Sequence, residues 1–291
     1  EKSKNNKILI IANTVNKAIE IYLKLKKQGT KNINLLHSRF IYNDRRSKEN
    51  GIKEFSNKKH KKGIWITTQI VEVSIDIDFD YLYTEMSTLD SLFQRLGRCY
   101  RNREYENQEE NIYIYTKNMS GIKYIYDKEI NERSIKLLKD YDKKILEEDV
   151  KVELVDKLYS KKMLKGTKFL KNFETGIKVL ENILDYKASK RVAQKLLRNI
   201  ENINIIPKNI YEQNLELFKE YEKEKENYTR KNELKRKIDK LTIAITQKTR
   251  WRIKDKLTEN PYYKQILIAD LKYDKEIGLI LDKDNEYELR I

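Results

Sequence analysis

Short apolar runs alternate with longer stretches whose apolar residues recur at helical spacing through residues 8–116, and this rhythm predicts the first part of the fold. Ile8-Leu9-Ile10-Ile11-Ala12 is apolar on both faces and predicts a buried strand. Asn13-Thr14 then offer capping side chains to a helix in which Val15, Ala18, Ile19 and Tyr22 share a face, and Gly29 ends it. A strand over 33–36, a helix within 40–55, and strands over 64–67 and 81–85 follow. Thr88 caps a helix through Leu89, Leu92, Phe93 and Leu96, and 111–116 makes the last strand. Such alternation with short connections predicts an α/β fold, a parallel sheet with helices on both faces.

Beyond Thr116 the period changes. Residues 124–141 and 147–161 read as amphipathic helices, so 117–200 is expected to be a helical connector. An apolar run ended by Pro207, a charge-dense segment over 212–240, strand-like runs at 241–246 and 265–270 and a hairpin turn within 273–279 then predict a small α+β C-terminal domain over 201–291. Glu and Lys alternate at helical spacing over 216–237, the mark of a solvated helix held by charge pairs. The polar opening, residues 1–7, lacks an initiating methionine and reads as a linker that something precedes.

Candidate chemistry lies at one strand end. Thr67-Thr68-Gln69-Ile70-Val71-Glu72-Val73-Ser74-Ile75-Asp76-Ile77-Asp78-Phe79-Asp80 opens from a buried strand into a carboxylate-rich loop, the kind of place where α/β sheets bind ligands. After the next strand comes Gln94-Arg95-Leu96-Gly97-Arg98-Cys99-Tyr100-Arg101. Arg98 and Arg101 are three apart and so share a face, and Gly97 beside them permits close backbone approach, which together suit a phosphate clamp. Arginines so spaced usually just meet solvent or local carboxylates. The order of strand, acidic loop and arginine run is what points to nucleoside-triphosphate chemistry. Asp78 and Asp80 repel each other, so one is expected to pair with a lysine or arginine.

Those two stretches resemble motifs V and VI of superfamily 2 helicases, and Thr68-Gln69-x-x-Glu72-x-Ser74-x-Asp76-x-Asp78-Phe79-Asp80 is similar to the helicase-nuclease of type I CRISPR systems. The α/β part, 8–116, then resembles the second RecA-like lobe of such a helicase. Ile10-Ile11-Ala12-Asn13-Thr14 resembles motif IV, and Leu36-His37-Ser38-Arg39-Phe40 with Arg45 resembles motif IVa, although Asn-Thr also serves as a plain helix cap and His37 as a satisfied polar residue. The resemblance implies arginine fingers at Arg98 and Arg101, Gln94 near the γ-phosphate, and Gly97 and Asp76 at the nucleotide, Asp76 by the ribose. Arg95 assists there or pairs with a local carboxylate. Asn13, Thr14, Arg39 and Thr68 would contact the DNA backbone, with Glu72 and Ser74 coupling DNA contact to the ATP cleft. It further implies ATP with Mg2+ held mainly by a first RecA-like lobe. The implied partners are single-stranded DNA, that lobe, a metal-dependent nuclease domain and a guide-RNA effector complex.

Composition sharpens this picture at a few points. With 39% hydrophobic residues the chain of 291 can bury a core despite 37% charged residues. A net charge of +16 suggests a polyanionic partner, or a lysine-rich compositional bias. Cys99 alone cannot make an internal disulfide, and His37 with His60 cannot make the usual Cys/His metal site or the family's nuclease centre. No run of about 18 apolar residues and no leader is visible, so a cytoplasmic protein without a membrane span is expected. None of the eight glycines precedes a lysine, so there is no Walker A loop, and a DExH box is missing too. Only the C-terminal half of the helicase-nuclease is therefore resembled. The 20 tyrosines could stack bases, though tyrosine more often belongs to a core. Three readings stay open: half of an ATP-dependent DNA translocase, a non-hydrolysing adaptor with a RecA-like fold, and another superfamily 2 helicase.

Overall fold

A computed structural model describes residues 2–58, 61–72, 75–101, 103–105, 109–185 and 202–281. Strands β1 (Lys7–Ile11), β2 (Ile33–Leu36), β3 (Gly63–Thr67), β4 (Tyr81–Glu85) and β5 (Ile112–Tyr115) form one sheet in the order β2-β3-β1-β4-β5, and every neighbouring pair is parallel. The connections carry α1 (Val15–Lys27), α2 (Tyr42–Asn57) and α3 (Leu89–Leu96). This is the expected α/β architecture. Lys7, read with the polar opening, instead begins β1: its backbone N–H donates to Asp80 Oδ2 at 2.7 Å and its ammonium to the Ser56 carbonyl. Thr14 caps α1 by accepting from the Lys17 N–H at 3.2 Å, whereas Thr88 caps α3 by backbone conformation without a side-chain bond.

The pleat sorts the core. Ile8, Leu35, Ile64 and Ile66 face one side of the sheet, where Ala18 and Tyr22 of α1 meet Ile205, Ile243 and Ile268 from the C-terminal region. Leu9, Ile11, Leu36, Trp65 and Leu82 face the other, against Leu89 and Leu92 of α3, Ile75, Ile77 and Phe79 of the acidic loop, and the connector residues Ile130, Leu154 and Leu158. Each fully buried Leu or Ile contributes about 1.5–3 kcal/mol, so both faces are covered at real gain. The connector is helical as expected: α4 (Lys128–Leu138), α5 (Glu148–Leu158), α6 (Lys161–Leu164) and α7 (Lys168–Asp185).

Strands β6 (Asn202–Pro207), β7 (Ile243–Thr246), β8 (Leu257–Glu259) and β9 (Leu267–Ala269) make a second, mixed sheet in the order β7-β6-β9-β8. With it go α8 (Lys208–Gln213), α9 (Leu215–Lys223), α10 (Tyr228–Asp239) and α11 (Gln247–Arg252). The Glu/Lys-rich stretch is carried by α9 and α10, joined by ion pairs such as Arg230–Glu220. Among the described residues no helix is long and apolar enough to cross a membrane.

The hairpin of β10 (Tyr273–Asp274) and β11 (Gly278–Leu279) returns to the first sheet. Gly278 has φ +76°, and a Cβ there would stand 2.8 Å from the Arg39 carbonyl oxygen and 2.9 Å from His37 Cε1, so glycine is required. The Leu279 N–H donates to that same carbonyl at 2.9 Å, which ties the hairpin to the loop after β2.

Candidate functional site

The C-terminal ends of β1, β3 and β4 and the turn after α3 meet around one side chain. Arg95 is 0% exposed although it is the largest charged group in the lobe's interior. All five of its N–H donors are directed at acceptors. Nε donates to Glu72 Oε1 at 2.8 Å, Nη1 to Thr84 Oγ1 and the Glu85 carbonyl at 2.8 and 2.9 Å, and Nη2 to Asn13 Oδ1 and Tyr126 OH at 2.9 and 2.7 Å. Glu85 in turn accepts from the backbone N–H groups of Asn13 and Ser120, each at 2.6 Å, and from the Ser120 hydroxyl at 2.7 Å. Ser91 donates to Glu72 Oε2 at 3.1 Å, and Gln69 Nε2 to the Asn13 carbonyl at 2.6 Å. A buried ion pair is tolerated when every remaining donor and acceptor is used, as here.

Arg98 stands one step further out. Its Nη1 donates to the Ile75 carbonyl at 2.8 Å and Nη2 to the Glu72 carbonyl at 2.7 Å, so it straps down the backbone of the acidic loop. Its Nε is buried without a partner, and burial together with the Arg101 charge lowers its pKa from the ordinary guanidinium value. Arg101 is outermost. It pairs with Asp76 at 3.0 Å, with side chains 41% and 78% exposed. Arg103 spans both remaining carboxylates, Nε to Asp78 Oδ2 at 2.7 Å and Nη1 to Asp80 Oδ1 at 2.9 Å, which relieves the repulsion the sequence announces.

Gln94 and Gly97 lie exposed beside these arginines. Gly97 has φ −64°, and a Cβ there would meet nothing nearer than 3.7 Å. Neither the backbone conformation nor a neighbour requires glycine at that position, so the open approach it leaves is available to a bound group.

The sequence-based assignments fall into two sets. Asp76, Arg98 and Arg101 come together at the mouth of the acidic loop, and Gln94 and Gly97 lie exposed at the end of α3 next to Arg98 in the chain. Asn13 and Arg95 do not reach it: both are 0% exposed, and Asn13 also donates to the Met86 and Ser120 carbonyls at 2.9 and 3.2 Å. As folded they cannot touch DNA or nucleotide, which corrects the DNA contact expected for Asn13 and leaves, of the two readings of Arg95, its pairing with a local carboxylate; they position the strand ends. Arg95's ion pair with Glu72 is interior, where a surface pair was the bland expectation. Thr14 is buried, with its hydroxyl donating to Ser120 Oγ at 3.1 Å, and Thr68 is buried at the start of a single 3-10 turn. Glu72 holds Arg95 and Ser91, so it joins the two motifs physically. Arg39 is half-buried and donates to Asn16 Oδ1. Ser74 and His60 lie outside the described residues. His37 is buried, stacked on Phe40 at 4.4 Å, and accepts from the Arg39 N–H at 3.2 Å. Burial and the nearby Arg39 and Lys48 charges push its pKa down to about 3.

Comparison with known proteins decides the family. Residues 4–104 match the family described as CRISPR-associated nuclease/helicase Cas3, C-terminal. The Cas3 nuclease/helicase of Methanothermobacter thermautotrophicus is 34% identical over 209 residues, covering 70% of this chain and 25% of that protein. The chain belongs to the Cas3 family. T. fusca Cas3 with AMPPNP shares the fold with a TM-score of 0.67 at 16% identity, over 96% of this chain and 39% of that one. A CRISPR RNA-guided surveillance complex in a pre-nicking state contains a chain matched with a TM-score of 0.63 at 18% identity, over 96% of this chain and 41% of that one. The chain thus spans about a quarter of its curated Cas3 relative and corresponds to the C-terminal part of the helicase.

Within this Cas3 lobe, sequence reading missed Glu85, Ser120, Tyr126 and Arg103. Glu85 left a signal, a carboxylate closing an otherwise buried strand. Ser120 and Tyr126 left none, because only the fold brings the connector under the strand ends.

Proposed function

We propose that this chain works as the second RecA-like lobe, with its C-terminal region, of an ATP-dependent translocase that moves on single-stranded DNA and unwinds target DNA in type I CRISPR interference. The observation that carries this reading is the gradation of the arginines from the last turn of α3 onward. Arg95 anchors, Arg98 straps the acidic loop, and Arg101 waits at the mouth in an exposed pair that costs little to exchange. The orphaned Arg98 Nε and the open approach at Gly97 fit a phosphate group arriving from a facing lobe. ATP with Mg2+, when bound, supplies the phosphoryl group whose transfer to water drives the cycle. Arg101 would neutralise charge on it, Arg98 would hold the loop in place, and Gln94 would hydrogen-bond beside them, with Asp76 released from Arg101 toward the ribose. Arg39 borders the DNA side, where backbone contacts give a sequence-indifferent grip, and Thr14 and Thr68 lie buried just beneath it. A first RecA-like lobe and a metal-dependent nuclease domain complete the machine in the cytoplasm, and a guide-RNA effector complex delivers the target.

The test is reconstitution. The 291-residue chain alone should hydrolyse no ATP, since it lacks the phosphate-cradling loop and its lysine. Joined to a first lobe of a Cas3 relative, it should give DNA-stimulated hydrolysis. Turnover by the isolated chain, or none from the folded two-lobe assembly, overturns the assignment.

A further inference from the structure

The loop between β5 and α4 is anchored at both ends and offers aromatic surface at its tip. Ser120 is bound to Glu85, Asn13 and Thr14, and Tyr126 accepts from Arg95. Between them the backbone folds on itself: the Ile125 N–H donates to the Gly121 carbonyl at 2.8 Å and the Lys123 N–H to the Tyr126 carbonyl at 2.8 Å, with φ +76° at Lys123. A loop so fixed holds Tyr124 at 62% and Ile125 at 49% exposure. Large apolar side chains displayed on a rigid loop signal a partner.

The C-terminal region supplies the other half. Lys248 on α11 places its ammonium 4.3 Å from the centre of the Tyr124 ring, and Trp251, three residues on and thus on the same side of the helix, is 71% exposed. Residues 117–126 and 247–254 carry Lys117, Lys123, Lys248, Arg250, Arg252 and Lys254 with no Asp or Glu. Two exposed rings beside Lys117, Lys123, Lys248, Arg250 and Lys254 suit a nucleic-acid strand, which brings both phosphates and bases, better than a peptide with an apolar face. The Ser120–Gly121 end also abuts Thr14 at the end of β1: a Cβ on Gly121 would stand 3.2 Å from Thr14 Cγ2. This patch therefore continues the DNA side of the lobe.

We propose that Tyr124 and Trp251, with Lys123, Lys248 and Arg250, form a base-stacking subsite for single-stranded DNA, joined through Ser120 and Tyr126 to the Arg95 network. It rests on the translocase reading above and adds where the strand leaves the lobe. Aromatic faces accept any base, so the subsite is sequence-indifferent, and the cations hold the flanking phosphates. A base seated on Tyr124 would bear on a loop whose root touches Arg95 and Glu85, which gives DNA occupancy a physical route to the arginines of the nucleotide side.

Of the two tryptophans, Trp65 is buried and Trp251 exposed, which makes emission a direct probe. Titration of the folded chain at low salt with a labelled oligothymidylate, read by anisotropy and by tryptophan emission together, should show binding that quenches Trp251. Tyr124→Ala and Trp251→Ala should each weaken binding about tenfold. Trp251→Phe should abolish the quench but keep most of the affinity. Lys248→Ala should lower the salt slope by about one. Binding by anisotropy with emission unchanged and both alanine variants unaffected would overturn the subsite while leaving the translocase reading standing. Tenfold tighter binding of oligouridylate would assign the patch to RNA and overturn it too. No binding at low salt would remove the DNA-side reading itself, and the subsite with it.

Discussion

Arg95 and Arg101 belong to one short segment and to two different regions of the molecule. Arg95 sits in a buried network under the strand ends, every N–H paired; Arg101 sits on the rim, its guanidinium paired with an Asp76 that is mostly in water. Removing one member of a buried pair strands the others and costs about 3–5 kcal/mol, while an exposed pair is worth about 0–1 kcal/mol. Identical side chains thus have opposite uses. The interior arginine fixes where the strand ends lie, and the rim arginine is free to change partners.

This contrast can be broken at several points. Arg95→Ala should have the largest effect, about 3–5 kcal/mol lost in urea unfolding, because Glu72 is left buried without its cation. A loss below 1 kcal/mol would move Arg95 to the rim class. His37 tests the interior by pH. Its unfolded form takes a proton below about pH 6.5, while the folded form resists until about 3. Its stabilising contribution is therefore full above pH 6.5 and falls by roughly 1.4 kcal/mol per unit as pH drops below that. Urea curves at pH 6.5 and 5 should differ by roughly 2 kcal/mol, and His37→Phe, which keeps a ring on Phe40, should flatten the difference. Smallest is Tyr126→Phe, which leaves one guanidinium N–H of Arg95 without an acceptor; about 1–2 kcal/mol should be lost by the same assay. No loss would mean that another acceptor takes the bond.

The two regions were not equally legible in the sequence. Strands buried on both faces are continuous apolar runs, and β2 falls at 33–36 as the pattern predicts. β8 and α11 escaped: three residues carry no period, and Gln-Lys-Thr-Arg-Trp-Arg carries no apolar stripe. The rim was readable because its chemistry is local, with Asp76, Gly97 and Arg101 announcing a mouth with charge of both signs. The interior was not, because an arginine's burial depends on acceptors far along the chain. Thr84, Glu85 and Tyr126 become partners of Arg95 only once the sheet and connector are folded. The Asn-Thr after β1 was legible as a cap for α1, which Thr14 is, but not as part of that network.

The division between a positioning interior and an acting rim is tested most directly by Arg101→Ala in the reconstituted two-lobe protein, with ATPase and urea unfolding measured on the same sample. DNA-stimulated turnover should fall by about 10³–10⁵, as loss of an arginine finger does, and lysine should rescue poorly because a point charge cannot reproduce the planar fork. Unfolding should shift by no more than about 0.5 kcal/mol, as for an exposed side chain. Near-normal turnover, or a loss of turnover matched by a loss of folding, would contradict the account.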